Sequence, residues 1–362
     1  MSSNYPRKCW YVAATSDEIT EAPLGRRLLG EDIVLWRAEN GRLAAFENRC
    51  AHRAFPLSHS RVDGGQLVCG YHGCTYDSTG VCTYIPSQNQ VPIGMRVPVF
   101  PVVEEPPFVW IWLGAPATAA ASRPPRLPWI GEPTWPTFAS TWKVNANYMM
   151  IHEHYLDFSY APILHATNIP REIRSMPVFS DVEVTETTVS YLRVLPDASL
   201  AGWQADATGL DSALTYKHRE SGTFVSPAVH HQYWDIEAPD GLVYTTTRIH
   251  GITPETECST HVFMQSSRNY AIGHDAATTR LRSFLAEVSQ RDTSILEMAS
   301  NHSGYDGWRS GVGFQADAAA MRARRIVGVM LAQEAGLAAL RPGRAPNTRS
   351  GSLSPRQSTT TK

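Results

Sequence analysis

The stretch that decides the fold is CAHRAFPLSHSRVDGGQLVCGYHG, which runs from Cys50 to Gly73. It has a Cys-x-His pair at one end, Cys50 and His52, and a Cys-x-x-His pair at the other, Cys69 and His72. Two thiolates and two imidazoles could hold a tetrahedral zinc ion or one 2Fe-2S cluster. Zinc fingers usually group their cysteines in one knuckle and their histidines in another, whereas each knuckle here has one of each. The mixed order favours a cluster in which the cysteines bind one iron and the histidines the other.

The composition is that of a globular protein without a strong charge bias. The chain has 362 residues, 43% of them hydrophobic, and a formal net charge of -2, which gives no reason to expect nucleic acid or a membrane as a partner. The N-terminal residues have no apolar run typical of a signal peptide, and the most apolar stretch, Phe108 to Gly114, is too short to span a bilayer. We expect a cytoplasmic protein whose six cysteines stay reduced.

The pattern of apolar residues divides the chain into two structural parts. Short apolar runs such as DIVLWR and FVWIWLG alternate with turn residues, which predicts an all-β domain over residues 1–115. Residues 116–136 are rich in proline and predict an extended linker. Residues 137–342 combine β-branched strands with a helix over about 147–164 and later helices, so the whole chain is expected to be α+β. The polar residues 343–362 predict a disordered tail.

The residues around the four candidate ligands resemble a known family. The patterns CxHR..PLS and CGYHG..YD..G.C are similar to the Rieske domain of ring-hydroxylating and demethylating oxygenases. The opening CWYVAATSDEITEAPLGRRLLGEDIVLWR and the later GITPETECSTHVFMQSSRN resemble the oxygenase components of dicamba monooxygenase and vanillate O-demethylase. The resemblance implies an N-terminal all-β Rieske domain with a 2Fe-2S cluster, followed by a helix-flanked antiparallel sheet that carries a mononuclear iron.

The same resemblance implies ligands for the mononuclear iron. In the family, a helix motif Asp-x-x-His-x-x-x-x-His supplies two histidines, and an aspartate on a later helix completes the set. In EHYLDFSYAPILH, Asp157 and His165 match the two ends of this motif, and Asp292 stands at the later carboxylate position. Tyr160 occupies the position of the first ligand histidine. The resemblance also implies that Asp157 links the two metal sites by hydrogen bonds to a histidine on each side.

Tyr160 leaves the occupancy of the mononuclear Fe(II) site open. A phenol must lose a proton of pKa about 10 to bind iron, so Tyr160 could ligate as phenolate, another residue could replace it, or the site could lack iron. His152 and His154 are the nearby replacements. On a regular helix, however, the Cα atoms of His154 and His165 would lie roughly 16 Å apart, so we expect His154 to line the pocket or to make a hydrogen bond there. The expected protein is low in mononuclear iron or holds ferric phenolate, and Tyr160→His is expected to raise its iron content.

The resemblance implies the terminal oxygenase component of a multicomponent Rieske monooxygenase. Such a protein uses O2 to hydroxylate or demethylate an aromatic or polycyclic small molecule. Its electrons would come from NAD(P)H through a separate reductase and, where required, a ferredoxin, because the chain has no dinucleotide fingerprint. The family also implies a homotrimer in which His72 lies next to Asp157 of the neighbouring protomer. The alternative is a Rieske electron-transfer or binding protein with an impaired mononuclear iron site.

Overall fold

A computed structural model describes residues 4–125, 129, 131–174 and 181–336. Within these residues, eighteen strands form four antiparallel sheets, and five α-helices accompany the largest sheet. The predicted tail over 343–362 lies outside the described residues, as do the last residues of the predicted second domain.

Residues 4–115 form three small antiparallel sheets. A three-stranded sheet has the order β1-β11-β10, and two four-stranded sheets have the orders β2-β3-β4-β9 and β5-β6-β7-β8. The runs DIVLWR and FVWIWLG, predicted as strands, form most of β3 and all of β11, and their apolar side chains are buried. The strands are β1 (Trp10–Thr15), β2 (Leu24–Leu28), β3 (Glu31–Arg37), β4 (Leu43–Glu47), β5 (Arg61–Asp63), β6 (Gln66–Val68), β7 (Thr75–Tyr76), β8 (Cys82–Tyr84), β9 (Val99–Phe100), β10 (Val102–Glu105) and β11 (Phe108–Trp112).

The second part of the chain is built on one seven-stranded antiparallel sheet in the order β12-β18-β17-β16-β15-β14-β13. Its strands are β12 (Thr137–Val144), β13 (Asp181–Val184), β14 (Thr188–Val194), β15 (Lys217–Val225), β16 (Val229–Glu237), β17 (Val243–Thr256) and β18 (Ser259–Arg268). The helices are α1 (Tyr148–Leu156), α2 (Ala161–Leu164), α3 (Gly202–Thr208), α4 (Asp275–Arg309) and α5 (Ala318–Glu334). Helix α4 is interrupted at Gly304, whose φ is 61°. Among the described residues, no helix has the length and apolar character needed to cross a membrane.

The single helix predicted over about 147–164 is wrong, because this segment forms two helices. Helix α1 ends at Leu156, and Asp157 has an extended backbone with φ -104° and ψ 107°. Two interactions stop the helix there: Arg193 Nη2 donates a hydrogen bond to the Leu156 carbonyl (2.9 Å), and Asp157 Oδ1 accepts one from the Ser159 N–H (2.8 Å). Pro162 lies in the first turn of α2, where the missing N–H of proline costs nothing. The chain therefore bends before this proline.

The two parts of the chain share one hydrophobic core, to which β1 and β11 contribute from one part and α1, β17 and α5 from the other. Strand β1 lies against β17, where Thr253 Oγ1 donates a hydrogen bond to the Val12 carbonyl (2.7 Å). The Leu29 N–H similarly donates to the Pro254 carbonyl (2.7 Å). A side chain at Gly251 would come within 2.5 Å of Val12, so the glycine permits this close approach. These contacts fix the N-terminal part on the large sheet.

Candidate metal centres

The first Cys-His pair lies in a tight loop, residues 50–55, that the backbone closes on itself. The Cys50 N–H donates a hydrogen bond to the Phe55 carbonyl (2.9 Å), and the Ala54 N–H donates one to the Cys50 carbonyl (3.0 Å). Closing the loop requires left-handed backbone at Ala54, whose φ is 54°. An alanine in this conformation costs about 1 kcal/mol, so the loop holds its shape against local backbone preference.

The second pair lies in a loop with the same pattern, residues 69–74. The Cys69 N–H donates to the Cys74 carbonyl (2.9 Å), and the Gly73 N–H donates to the Cys69 carbonyl (3.0 Å). The fifth residue again has positive φ, here 72° at Gly73, and a side chain at this position would come within 2.7 Å of Pro86. We call the two segments the cluster loops. Their matching hydrogen bonds place the cysteine first in each loop, while the histidine is third in one loop (His52) and fourth in the other (His72).

The cysteines of the cluster loops lie inside the domain and the histidines at its surface. Cys50 and Cys69 are buried, whereas His52 and His72 are exposed and their ring centroids lie 4.5 Å apart. As the side chains stand, no three His, Cys, Asp or Glu residues in the described ranges are already arranged around a common point as the ligands of a single ion would be. A two-iron cluster needs pairs of ligands instead, and the loops provide a thiol pair and an imidazole pair. The four residues therefore fit a 2Fe-2S cluster whose histidine side faces solvent.

A buried tyrosine supports the cysteine side of this site. The Tyr76 hydroxyl lies 3.2 Å from Cys50 Sγ and accepts a hydrogen bond from the Ala51 N–H at the same distance. Burial, with the neighbouring Cys50 sulfur adding to it, raises the pKa of Tyr76, so the phenol keeps its proton and can donate it to the sulfur. A hydrogen bond to a ligating sulfur raises the reduction potential of an iron–sulfur cluster.

Three buried side chains meet in the second part of the chain: His154 in the last turn of α1, His165 after α2, and Asp292 on α4. His165 Nε2 lies 2.8 Å from Asp292 Oδ1, and His154 Nε2 lies 3.3 Å from the same oxygen. The expectation that His154 lies too far from His165 to reach a common group is wrong, because the bend between α1 and α2 replaces a regular helix. We call these three residues the His–His–Asp set.

The His–His–Asp set has the donors that a mononuclear iron requires. In the described part of the chain, His154 Nε2 is buried without a hydrogen-bond partner, whereas His165 Nε2 is hydrogen-bonded to Asp292 and only its Nδ1 lacks a partner. Burial raises the pKa of Asp292, but the two adjacent imidazoles lower it by more and hold it well below its usual range. Around an ion with bonds of about 2.1 Å, neighbouring ligand atoms lie about 3 Å apart. The distances from Asp292 Oδ1 to the two Nε2 atoms, 2.8 and 3.3 Å, are close to that value. The three side chains do not surround a common point as they stand, so they would have to rotate toward one to hold such an ion.

Salt-bridge and hydrogen-bond partners hold α1 in place beside this set. Glu153, next to His154, is buried and pairs with Arg324 of α5 at 2.6 Å. The Trp308 indole N–H donates to the same carboxylate at 2.7 Å. Because α4 also supplies Asp292, this network ties the helix that carries the first imidazole to the helix that carries the carboxylate.

Tyr160 packs against the two imidazoles. Its ring stacks on His154 with centroids 3.9 Å apart and planes at 18°, and it meets His165 edge-on at 5.9 Å. Burial, together with the negative charge of Asp292, raises the pKa of Tyr160 well above its usual value. In this structure the phenol is therefore neutral, and its role as an iron ligand stays a prediction.

The remaining sequence-predicted residues lie nearby with other partners. Asp157 is half-buried at the end of α1, and its link to the neighbouring protomer's cluster stays a prediction. His152 is buried and places Nε2 2.9 Å from the Pro227 carbonyl, which makes it a hydrogen-bonding histidine outside the His–His–Asp set. Burial lowers the pKa of His152 to about 4, so it is neutral at physiological pH.

An apolar pocket opens beside His165. It is mainly apolar and partly open to solvent, and its walls include Phe158, Trp234 and Val288. Arg248 of β17 also lines it, half-buried, and within the described residues its guanidinium has no hydrogen-bond or ion-pair partner. Sequence reasoning missed Arg248, although a charged residue inside the β-branched run TTTRIHGI was a usable signal.

Comparison with known families agrees with this arrangement. Residues 9–101 match the family described as Rieske [2Fe-2S] domain, and residues 144–333 match the family described as Vanillate O-demethylase oxygenase C-terminal domain. A cluster domain joined to a sheet domain with a His–His–Asp set defines an oxidoreductase of the Rieske oxygenase class. The chain belongs to the vanillate O-demethylase type of this family, as an oxygenase component of a multicomponent monooxygenase.

Individual relatives are similar over most of their length. The vanillate O-demethylase oxygenase subunit of Pseudomonas sp. (strain HR199 / DSM 7063) is 29% identical over 93% of this chain and 98% of its own. The dicamba O-demethylase oxygenase component of Stenotrophomonas maltophilia is 29% identical over 81% and 87%. A crystal structure of dicamba monooxygenase bound to 3,6 dichlorosalicylic acid superposes with a TM-score of 0.85, at 28% identity over 91% of this chain and 99% of that one. The predicted family and the α+β fold with an N-terminal Rieske domain are confirmed.

Proposed function

We propose that this oxygenase component uses O2 and electrons from NAD(P)H to hydroxylate or demethylate a small aromatic or polycyclic molecule. The electrons arrive through a separate reductase and, where required, a ferredoxin. One observation carries the proposal: a single chain combines the four ligand residues of a Rieske cluster with a buried His–His–Asp set beside an apolar pocket. Both cofactors of the family, the cluster and a mononuclear iron, are thus supported by the residues present.

The residues divide the work between the two centres. The exposed His52 and His72 give electrons a route into and out of the cluster domain. His165 and Asp292 would hold the mononuclear iron, which supplies O2 activation when bound. The aromatic and aliphatic walls of the pocket keep bulk water away and hold an apolar substrate next to His165.

Arg248 narrows the substrate class to molecules with a negatively charged group. A half-buried guanidinium without a protein partner is well placed to pair with a carboxylate or sulfonate. Related proteins are consistent with this choice. The toluene-4-sulfonate monooxygenase iron-sulfur subunit of Comamonas testosteroni is 29% identical over 80% of this chain and 87% of its own, and the crystal structure above contains an acid. We propose an aromatic acid as substrate.

We further propose a cytoplasmic ring-shaped homotrimer with the domain limits predicted from the sequence: 1–115, a linker over 116–136, and 137–342. The exposed His72 suits an electron exit toward a neighbouring protomer, whose Asp157 would accept a hydrogen bond from this histidine and so link the cluster to the mononuclear site. Asp157→Asn should leave the cluster spectrum and the trimer mass unchanged while slowing re-oxidation of the reduced cluster by O2 and substrate at least tenfold. Light scattering and stopped-flow absorbance measure these quantities. A monomer with full activity, or an unchanged rate in the variant, would contradict the assembly.

The alternative function is electron transfer or binding without oxygenation, and Tyr160 at a ligand position favours it. Reduced, Fe(II)-reconstituted protein mixed with ¹⁸O2 and a series of aromatic acids separates the two. Oxygenation predicts a labelled product, or a labelled aldehyde when a methyl group is removed. His165→Ala is expected to keep the cluster spectrum and form no product. If His165→Ala matches the unaltered protein in every reaction, the oxygenase proposal fails.

A further inference from the structure

We propose that His154 is the second imidazole ligand of the mononuclear iron, so that the ligand set of this chain is His154, His165 and Asp292. The family motif has its first ligand histidine at position 160, whereas in this chain we assign that ligand to position 154, in the last turn of α1. This inference rests on the proposed function only in taking the ion to be iron, because the binding of the ion does not require turnover.

The first argument is the position of the donor atoms. Both Nε2 atoms lie within 3.3 Å of one oxygen of Asp292, and all three side chains are at most 7% exposed. His154 Nε2 is close to this oxygen, yet its ring is not oriented to hydrogen-bond with it. A buried imidazole nitrogen without a partner is costly in a finished core, and a metal ion is a partner that would satisfy it.

The second argument is the path of the backbone. Arg193 and the turn at Asp157 end α1 immediately after the turn that contains His154. Helix α2 then starts in a new direction and ends at His165. His154 and His165 would be far apart on one regular helix. Because they lie on two helices with different directions, both reach Asp292.

The third argument is the place of Tyr160. Its ring lies flat on His154, so it covers a face of the imidazole. Such a stack restricts rotation of His154, which makes Tyr160 a positioning residue for the new ligand. His152 offers no competing imidazole, because its Nε2 is engaged by the Pro227 carbonyl.

The test is metal content in the full-length protein. Unaltered protein and variants are reconstituted anaerobically with Fe(II), freed of loose iron, and assayed for iron and acid-labile sulfide. We expect the unaltered protein to hold one iron beyond the two of its cluster. His154→Phe keeps a ring that can stack on Tyr160 but removes both nitrogens, and it should lose the extra iron. Tyr160→Phe is the matched control and should keep it without any change in the visible spectrum.

A further variant and two folding measurements keep the test decisive if the His154→Phe protein does not fold. Thermal unfolding and the Rieske absorbance report folding, and His154→Gln, a smaller change, is expected to weaken Fe(II) retention at least tenfold. The inference is overturned if Tyr160→Phe loses the extra iron while the His154 variants keep it, or if reconstituted unaltered protein holds only cluster iron. Product formation by a His154→Phe protein that retains its iron would remove the inference and leave the oxygenase function intact. If the His154→Phe variant loses the extra iron and no preparation forms product, the ligand assignment stands and the proposed oxygenase function fails.

Discussion

The cluster loops take their four ligands from Cys50 to His72, whereas in the His–His–Asp set even His165 and Asp292 lie 127 positions apart in the chain. In the cluster loops, backbone hydrogen bonds within each segment fix the cysteine and histidine relative to one another. In the His–His–Asp set, a bend between two helices and a network anchored on Glu153 do this work. A site held by local backbone tolerates little change in its motif. A site held by tertiary contacts can take a ligand from a different position in the chain, which is what the inferred ligation by His154 in place of Tyr160 amounts to.

The largest effect should come from the cluster loops. His72→Ala removes one of four ligands in a locally closed loop, so the visible Rieske spectrum and the activity should disappear together. His59→Ala is the matched control, since His59 is exposed between the two loops without a place in the ligand pattern, and it should keep both. A fully coloured His72→Ala protein would end the cluster assignment.

The second centre should allow an exchange that the first does not. In a His154→Phe background, adding Tyr160→His restores an imidazole at the family position and should recover the mononuclear iron. The loss in the single variant should exceed the about tenfold to hundredfold cost of removing an outer-shell partner. Iron analysis after anaerobic reconstitution measures both. If Tyr160→His alone raises the iron content of otherwise unaltered protein, the site lacks a third ligand, as the sequence-based expectation has it.

A smaller effect is expected at the pocket wall. Arg248→Gln removes a charged hydrogen-bond partner worth about 2 kcal/mol, so kcat/KM for an aromatic acid should fall roughly 30-fold. The effect should be confined to the charged substrate, and a neutral ester of the same acid should react equally well with both proteins. Arg219→Gln, at a partly exposed ion pair of the same sheet, serves as control. If kcat/KM falls equally for the acid and the ester, Arg248 shapes the pocket but does not recognise the charge of the substrate.

The smallest effect should distinguish the two cluster loops from each other. Ala54→Gly relieves left-handed backbone at an alanine and should stabilise the protein by less than about 1 kcal/mol, because glycine also gains freedom in the unfolded chain. Gly73→Ala introduces the same strain plus a contact with Pro86 and should destabilise it by about 1–3 kcal/mol. Denaturant titration followed by the Rieske absorbance measures both. Equal shifts of the same sign would show that the loops are not held by the conformation of their fifth residue.

The sequence predicted what is local and missed what depends on the tertiary fold. The four cluster ligands and strands such as β3 and β11 follow from short patterns, because knuckle spacing and strand alternation are properties of neighbouring residues. The bend after α1 was not predicted, since Arg193, whose guanidinium binds the last carbonyl of the helix, comes from a distant strand. His154 was set aside for that reason. Arg248 was missed because its exposure to a pocket depends on the order of strands in the sheet.

The contact between β1 and β17 has a consequence for attempts to recombine this protein with its relatives. Val12 of β1 lies in the space left by Gly251 of β17, and the Thr253 hydroxyl donates a hydrogen bond to the Val12 carbonyl. The contacts of the N-terminal domain therefore extend onto the large sheet. A chimera that exchanges residues 1–115 for those of a relative would bring a foreign strand onto this face. It should assemble only when the incoming strand has a side chain that fits against Gly251, or when position 251 is exchanged with it. The residues of β1 and position 251 must therefore fit each other. In a library of recombined relatives, both should come from the same parent.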